Sequence, residues 1–268
     1  RRQRARRPLV VTERTVLVTG AAGALGSVLV RELPCAGWTV RPLVRTPDAA
    51  LPDAVVGSVD DLEVMMAATE GVDAVVHLGG LSLPGREWQE YLHVNIDGTR
   101  TTLEAARRTG VRRVALASSN HAVGYLHRGD ADLPTDVAAR PDSFYGVSKA
   151  AVEALGTFYA DEYGMHVVNQ RIGSGAERPR TPRMLATWLS MPDFVRLTLA
   201  SIDGDWTGAH TVWGISRNTR RWWSLAEGYA IGYEPQDDAE AYAHEVDGAD
   251  SDYVGGDTPP TVSSSSPS

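Results

Sequence analysis

Short apolar runs alternate with longer amphipathic stretches along most of this chain. Val16 to Val18 reads as a buried strand, and it leads through Gly20, Gly23 and Gly26 into the apolar helix-forming run Ala24 to Leu33. The strand pattern recurs at Trp38 to Val44, Ala54 to Gly57, Asp73 to His77, Arg113 to Ala117 and His166 to Ile172. Between these runs, Asp60 and Asp61 cap a helix that reaches about Thr69. A second helix is expected from Trp88 to Arg108, its buried side marked by Trp88, Tyr91, Leu92, Ile96, Thr99 and Leu103. A third opens in Arg140 to Lys149, with Asp142 or Ser143 as its cap, and runs to about Tyr163. Further on, Met184 to Ser190, Pro192 to Ser201 and Trp222 to Ile231 read as helices, and His210 to Trp213 as a strand.

Strands separated by helices predict an α/β fold: a Rossmann-type doubly wound parallel sheet with a small C-terminal cap that binds substrate. The expected division is an Arg-rich flexible arm over 1–13, a dinucleotide-binding domain over 14–172, the cap over 173–247 and a disordered tail over 248–268. Asp, Gly, Pro and Ser dominate from about Gly248 onward, and Thr258 to Ser268 cannot support a core.

The stretch from Thr15 to Gly26 has the strand, glycine turn and helix that hold a pyrophosphate. Gly20 permits the tight turn, Gly23 lets backbone N–H groups approach phosphate, and Gly26 allows close packing of helix on strand. The spacing is G-x-x-G-x-x-G rather than G-x-G-x-x-G, so the turn alone is equally a glycine-rich connection that binds nothing. Downstream, the end of the second strand is where an acid would meet adenosine ribose hydroxyls. Here it holds Leu43, Val44 and Arg45. A guanidinium suits a 2′-phosphate and thereby NADP; the alternative is a solvent-facing Arg45 with Asp48 serving the ribose.

Other strand ends carry polar groups. Asp73 to Gly80 runs into a Gly-Gly turn, where Gly79 and Gly80 can lie against a dinucleotide. His77 reads as a core residue of that strand, and Ser82 as a loop serine within reach of a substrate. Ser118-Ser119-Asn120-His121 gathers hydroxyls, an amide and an imidazole at the carboxyl end of the fifth strand, which points to a site more than to a loop. Tyr145 and Lys149 stand four apart on one helix face, with Phe144, Val147, Ala151, Leu155 and Phe158 expected to pack around them. A phenol ionises near about pH 10, and an ammonium one turn away is expected to lower that value toward base chemistry near neutrality.

Composition narrows the class. Over 268 residues the formal charge is −8, which argues against general nucleic-acid binding; five of the first seven residues are Arg, an anion-binding arm being the minor alternative to a flexible end. No run approaches the about 18 apolar residues of a membrane span, and no secretory leader is visible. Cys35 is the only cysteine, and the seven histidines show no ligand pairing, so neither a disulfide nor a metal site is expected. A cytoplasmic enzyme without membrane or nucleic-acid partners fits, with homo-oligomerisation left open.

The glycine turn, Asn95, Ser118-Ser119 and Tyr145 with Lys149 resemble the extended short-chain dehydrogenase/reductase superfamily, which includes sugar-nucleotide epimerases and dehydratases. Within it, Ala117 to His121, Arg140 to Lys149, Arg171 to Ser174, Arg183 to Ser190, Asn218 to Trp223 and Pro235 to Asp237 are similar to uronate dehydrogenases, over roughly Thr15 to Val246. The resemblance implies oxidation of galacturonate or glucuronate at the anomeric carbon to an aldarolactone, with hydride transfer to NAD(P). It implies cofactor contacts from Gly20, Gly23, Ala24, Leu25, Gly26, Arg45, Ser58, Val59, Leu78, Gly79, Gly80, Asn95, Tyr145 and Lys149. Tyr145 would take the hydroxyl proton, Lys149 would lower its pKa and bind the nicotinamide ribose, and Ser119 would hydrogen-bond the reacting oxygen. Ser82, Asn120, His121 and Ser174 would hold the sugar, and Arg183 its carboxylate.

This chain departs from that pattern in four places. The second-strand acid is absent, which with Arg45 favours NADP where the family favours NAD. Ser58 stands where an Asp near the adenine is usual. The interval from Ser119 to Tyr145 is one residue longer, around His127 to Ala131, and Gly175 replaces a bulkier residue. Two other readings stand beside the uronate one. One is a dehydrogenase or epimerase of another sugar or sugar phosphate, since Arg178, Arg180 and Arg183 suit a phosphate equally. The other is a non-catalytic NAD(P)-binding regulator.

Overall fold

A computed structural model describes residues 14–248 and 250–256; the 1–13 arm and residues 257–268 of the expected tail lie outside them. The chain begins with β1 (Arg14–Thr19), α1 (Ala24–Glu32), β2 (Trp38–Val44), β3 (Val55–Val56), α2 (Leu62–Thr69) and β4 (Ala74–His77). It continues with α3 (Trp88–Tyr91), α4 (Gly98–Thr109), β5 (Arg113–Ser119), α5 (Phe144–Tyr163) and β6 (His166–Ile172). The C-terminal part adds β7 (Ser174–Gly175), α6 (Met184–Thr187), β8 (Trp188–Leu189), α7 (Met191–Asp203), β9 (Ala209–Gly214) and α8 (Ala226–Ala230).

Seven strands form one parallel sheet in the order β3-β2-β1-β4-β5-β6-β9. Alternation along β1 shows why helices cover both faces. Leu17 packs with Met65, Leu103 and Val152 on one side, while Val16 and Val18 pack with Leu29, Phe194 and Ile202 on the other. The order reverses between β1 and β4, and a crevice opens there beyond the carboxyl ends of the strands. Every predicted site residue follows one of those ends or lies on a helix facing them.

Five sequence expectations change. The helix expected over Trp88–Arg108 is broken by a π-helical turn, Leu92–Asp97, which turns Asn95 inward to bond Leu81 and Ser148. Met184–Ser190 is helical only through Thr187; Trp188–Leu189 extends and pairs with β7. In Trp222–Ile231 only Ala226–Ala230 is helical; the tryptophans instead stack, Trp213 on Trp223 at 4.4 Å, in a core with Val212, Ile215 and Ile231. The C-terminal part is also no mere cover, because β9 completes the main sheet beside β6.

The fifth change concerns the tail. Composition predicts nothing ordered from 248 on, yet residues 250–256 lie against the body. Val254 is fully buried in the tryptophan core, a burial that contributes about 1.5–3 kcal/mol. One well-placed apolar residue outweighs a composition averaged over the segment.

Candidate active site

The glycine turn meets the helix with no room to spare. Gly20 has φ +67°, and a Cβ there would lie 2.9 Å from the Gly79 nitrogen. A Cβ on Gly26 would come within 2.2 Å of the Gly20 carbonyl oxygen. Gly23 caps α1 without any side-chain hydrogen bond, and the first turn of α1 carries no acid. The N–H groups at the positive end of α1 therefore face the crevice, where they suit a pyrophosphate.

That crevice is a cavity of about 550 Å³. Gly20, Gly23, Ala24, Leu25, Gly26, Leu78 and Gly80 line its end beside the β1–α1 turn. Ser82, Ser119, Asn120, His121, Tyr145, Lys149, Ser174 and Arg183 line the rest, so residues 163 positions apart in sequence, Gly20 to Arg183, share one space. Arg45, Ser58, Val59, Gly79 and Asn95 are not on its wall. Arg45 is exposed just past β2, and Asp48 accepts from the Ala50 amide at 2.9 Å. Val59 is buried behind Gly79, and Asn95 braces the loop after β4. The wall also includes Ala117, Ser118, Ile172, Gly173 and Gly175, all from stretches the sequence singles out, and Leu81 and Leu83, which no sequence motif marked.

Ser143 caps α5 by accepting from the Gly146 amide at 3.1 Å, which places Tyr145 and Lys149 on the cavity side. Phe144, Val147 and Phe158 do not pack around that pair as expected; they face outward, Phe144 being 62% exposed. Tyr145 instead packs against Tyr91 at 6.1 Å and edge-on to His121 at 5.6 Å. Lys149 donates to the Ala117 carbonyl at 2.7 Å, and its Nζ lies 5.7 Å from the Tyr145 ring centre.

The electrostatics correct one expectation. Lys149 does not bring the phenol toward neutrality here. Burial pushes Tyr145 up to about 12, a hydrogen bond with Ser119 pulling the other way. Burial also lowers Lys149 to about 8, against the opposing pull of Glu153. His77 falls to about 3, first by burial and then by Lys149, and its Nδ1 lies 2.9 Å from the Thr19 hydroxyl; it is the core residue that the sequence implied.

Asp142 does not cap α5. Its Oδ2 lies 2.7 Å from His121 Nδ1, and since a carboxylate only accepts, the proton of that bond is on Nδ1. Arg183 donates through Nη1 to Ser174 Oγ at 3.4 Å and through Nη2 to the Val254 carbonyl. Arg178 and Arg180 are exposed, Arg178 over the Tyr242 ring. Among the described residues no group of three or more His, Cys, Asp or Glu could hold a metal, and no helix is long and apolar enough to cross a membrane.

Residues 16–190 match the model of the NAD dependent epimerase/dehydratase family. The chain is 39% identical to a uronate dehydrogenase of Pseudomonas syringae pv. tomato, over 87% of this chain and 85% of the relative. It is 37% identical to an NAD-dependent glucose-6-phosphate dehydrogenase of Haloferax volcanii, over 87% and 97%. A crystal structure of a uronate dehydrogenase mutant from Agrobacterium tumefaciens, complexed with NAD, superposes with a TM-score of 0.85 at 36% identity, covering 92% of this chain and 98% of that one.

Proposed function

This chain belongs to the NAD-dependent epimerase/dehydratase family, and on that premise we propose that it oxidises a hexuronate at the anomeric carbon to an aldarolactone. The observation that carries this reading is the meeting, in one cavity, of Tyr145 and Lys149 with a guanidinium, Arg183, at the far wall. In the proposed step the anomeric O–H proton goes to Tyr145 as the carbonyl forms, and Ser119 hydrogen-bonds the reacting oxygen. NAD(P), when bound, accepts the hydride from the anomeric carbon. The glycines of the β1–α1 turn, with Leu78 and Gly80, would hold its phosphates and ring. Ser82, Asn120, His121 and Ser174 would hold sugar hydroxyls.

Arg183 carries the substrate choice. A planar guanidinium matches a carboxylate through paired donors, and a charge-assisted hydrogen bond contributes about 1.5–3 kcal/mol. Arg183→Ala is expected to raise the KM for galacturonate or glucuronate about tenfold or more. Lys recovers only part of that loss, because an ammonium lacks the paired geometry. Steady-state kinetics on both uronates and on neutral hexoses check this. Uronate kinetics unmoved by Arg183→Ala would remove the clamp and the uronate reading together. A sugar phosphate is the second reading, supported by the similarity to the Haloferax enzyme. Glucose 6-phosphate in the same assay separates the two.

The adenosine end is proposed to accept NADP as well as NAD, because no acid stands at the end of β2 to repel a 2′-phosphate and Arg45 follows it. Arg45→Ala should then weaken NADP about fivefold or more and leave NAD unchanged, measured as dissociation constants by cofactor titration. A strong NAD preference in the wild type, unmoved by the substitution, would make Arg45 a solvated surface residue.

A further inference from the structure

The loop after Asn120 and the segment 250–256 meet, and what they do together concerns the sugar. Arg128 N–H donates to the Asp252 carbonyl at 2.7 Å, Val254 N–H to Leu126 at 3.0 Å, and Gly255 N–H to Gly124 at 2.9 Å. His127 and Tyr253 bridge as antiparallel partners, with their rings edge-to-face at 5.1 Å. The segment thus lies antiparallel along residues 124–128, joined to them by an isolated bridge and three backbone hydrogen bonds.

Its inner side reaches Asn120 and Arg183, two side chains proposed to hold the substrate, and the Asp142 carboxylate that holds a third, His121. The Val254 carbonyl accepts from Asn120 Nδ2 at 2.8 Å and also from Arg183 Nη2, so one backbone oxygen ties together groups just after β5 and just before α6. Gly256 lies against the stem of Arg183, where a Cβ would be 3.4 Å from both Cδ and Nε. Gly255 backs the Asp142 carboxylate so closely that a Cβ there would stand 1.8 Å from Oδ2, the oxygen that holds His121. Val254 anchors the whole in the tryptophan core.

We propose that residues 250–256 form a positioning clasp for the sugar: Val254 sets the planes of Asn120 and Arg183, and Gly255 leaves room for the Asp142–His121 pair. The inference rests on the proposed oxidation of a sugar acid in this cavity and adds which part of the chain tunes its affinity. The glycine turn that suits the cofactor has no contact with the clasp among these bonds, so substrate and cofactor affinities should separate under substitution.

The test uses the full-length protein with Gly255→Ala and, as the control, Gly129→Ala. Gly255→Ala should raise the KM for galacturonate about tenfold, while kcat stays within about threefold and the NAD dissociation constant is unchanged. Gly129 is an exposed glycine of the facing loop where a Cβ would meet nothing within 4 Å, so Gly129→Ala should match wild type in all three. A second measurement does not depend on the Gly255 variant folding. In Tyr145→Phe protein holding NAD, adding galacturonate should slow hydrogen exchange at the Val254 and Gly255 amides at least fivefold, whereas NAD alone should not. An unchanged KM in Gly255→Ala, an equal fall in kcat and cofactor affinity, or exchange indifferent to sugar would each overturn the clasp. A wild type that oxidises another aldose and no uronate defeats the proposed substrate instead, and the same ratios measured with that aldose still decide the clasp.

Discussion

Tyr145→Phe is expected to lower turnover by about 10²–10⁴ while cofactor affinity stays near wild type. The substitution removes only the hydroxyl, and the ring keeps its contacts with Tyr91 and His121. The pH behaviour makes the expectation sharper. Burial pushes this phenol up to about 12, so below that pH in the cofactor-free protein it is neutral and a poor base. Any added positive charge beside it, such as an oxidised nicotinamide ring, favours the phenolate and lowers the value. The tyrosinate absorbance lost in Tyr145→Phe should therefore appear only near pH 12 without cofactor, and at a clearly lower pH with NAD⁺. Oxidation should rise with pH as the phenol ionises. It should then fall as Lys149, lowered by burial to about 8, loses its proton. Near-normal turnover in Tyr145→Phe, or a Tyr145 that titrates near neutrality without cofactor, would end this account.

That correction shows how far residue spacing can be read. The i, i+4 placement of Tyr145 and Lys149 is a property of any helix and was legible in the sequence. Their ionisation is not, because it depends on desolvation by residues from β4, β5 and α3. Spacing puts an ammonium one turn away; the fold points that ammonium at the Ala117 carbonyl.

The same division runs through the fold. Parallel strands buried on both faces are continuous apolar runs, so β1, β2, β4, β5 and β6 could be placed from sequence, and their carboxyl ends gave most of the cavity wall. The π-turn at Leu92–Asp97 left no periodic mark, since one widened turn scarcely alters an amphipathic pattern. Trp188–Leu189 looked helical because apolar runs of that length suit either state; pairing with Ser174–Gly175 decides it. Asp142 and Ser143 are interchangeable as caps in the sequence, and only the fold offers His121 as the competing partner that leaves the cap to Ser143. The segment 250–256 was least legible: its contacts are backbone bonds to a loop more than a hundred residues earlier.

Glu153→Leu is expected to cost about 3–5 kcal/mol of stability, the usual consequence of removing one partner from a buried ion pair. Glu153 takes Arg171 Nε at 2.9 Å and Nη2 at 2.8 Å, a paired geometry in which both side chains are close to fully buried. Ser118 Oγ donates to the same carboxylate at 2.5 Å, and Arg171 Nη1 reaches the Thr135 carbonyl at 2.9 Å. The pair thus joins α5, β5 and β6 directly beneath the cavity. Leucine would leave a guanidinium buried without its counter-charge, whereas Glu153→Leu with Arg171→Met removes both charges and should recover most of the loss. Urea unfolding midpoints of the wild type, the two single variants and the double variant measure this as a cycle. A double variant as unstable as the sum of the singles would mean that the charges are uncoupled. The pair also bears on catalysis, because Glu153 lies one helical turn beyond Lys149 and holds its pKa up. In Glu153→Gln, which keeps an acceptor for Arg171, the alkaline fall in turnover should move to lower pH. An unshifted alkaline limb would show that Glu153 serves the fold alone.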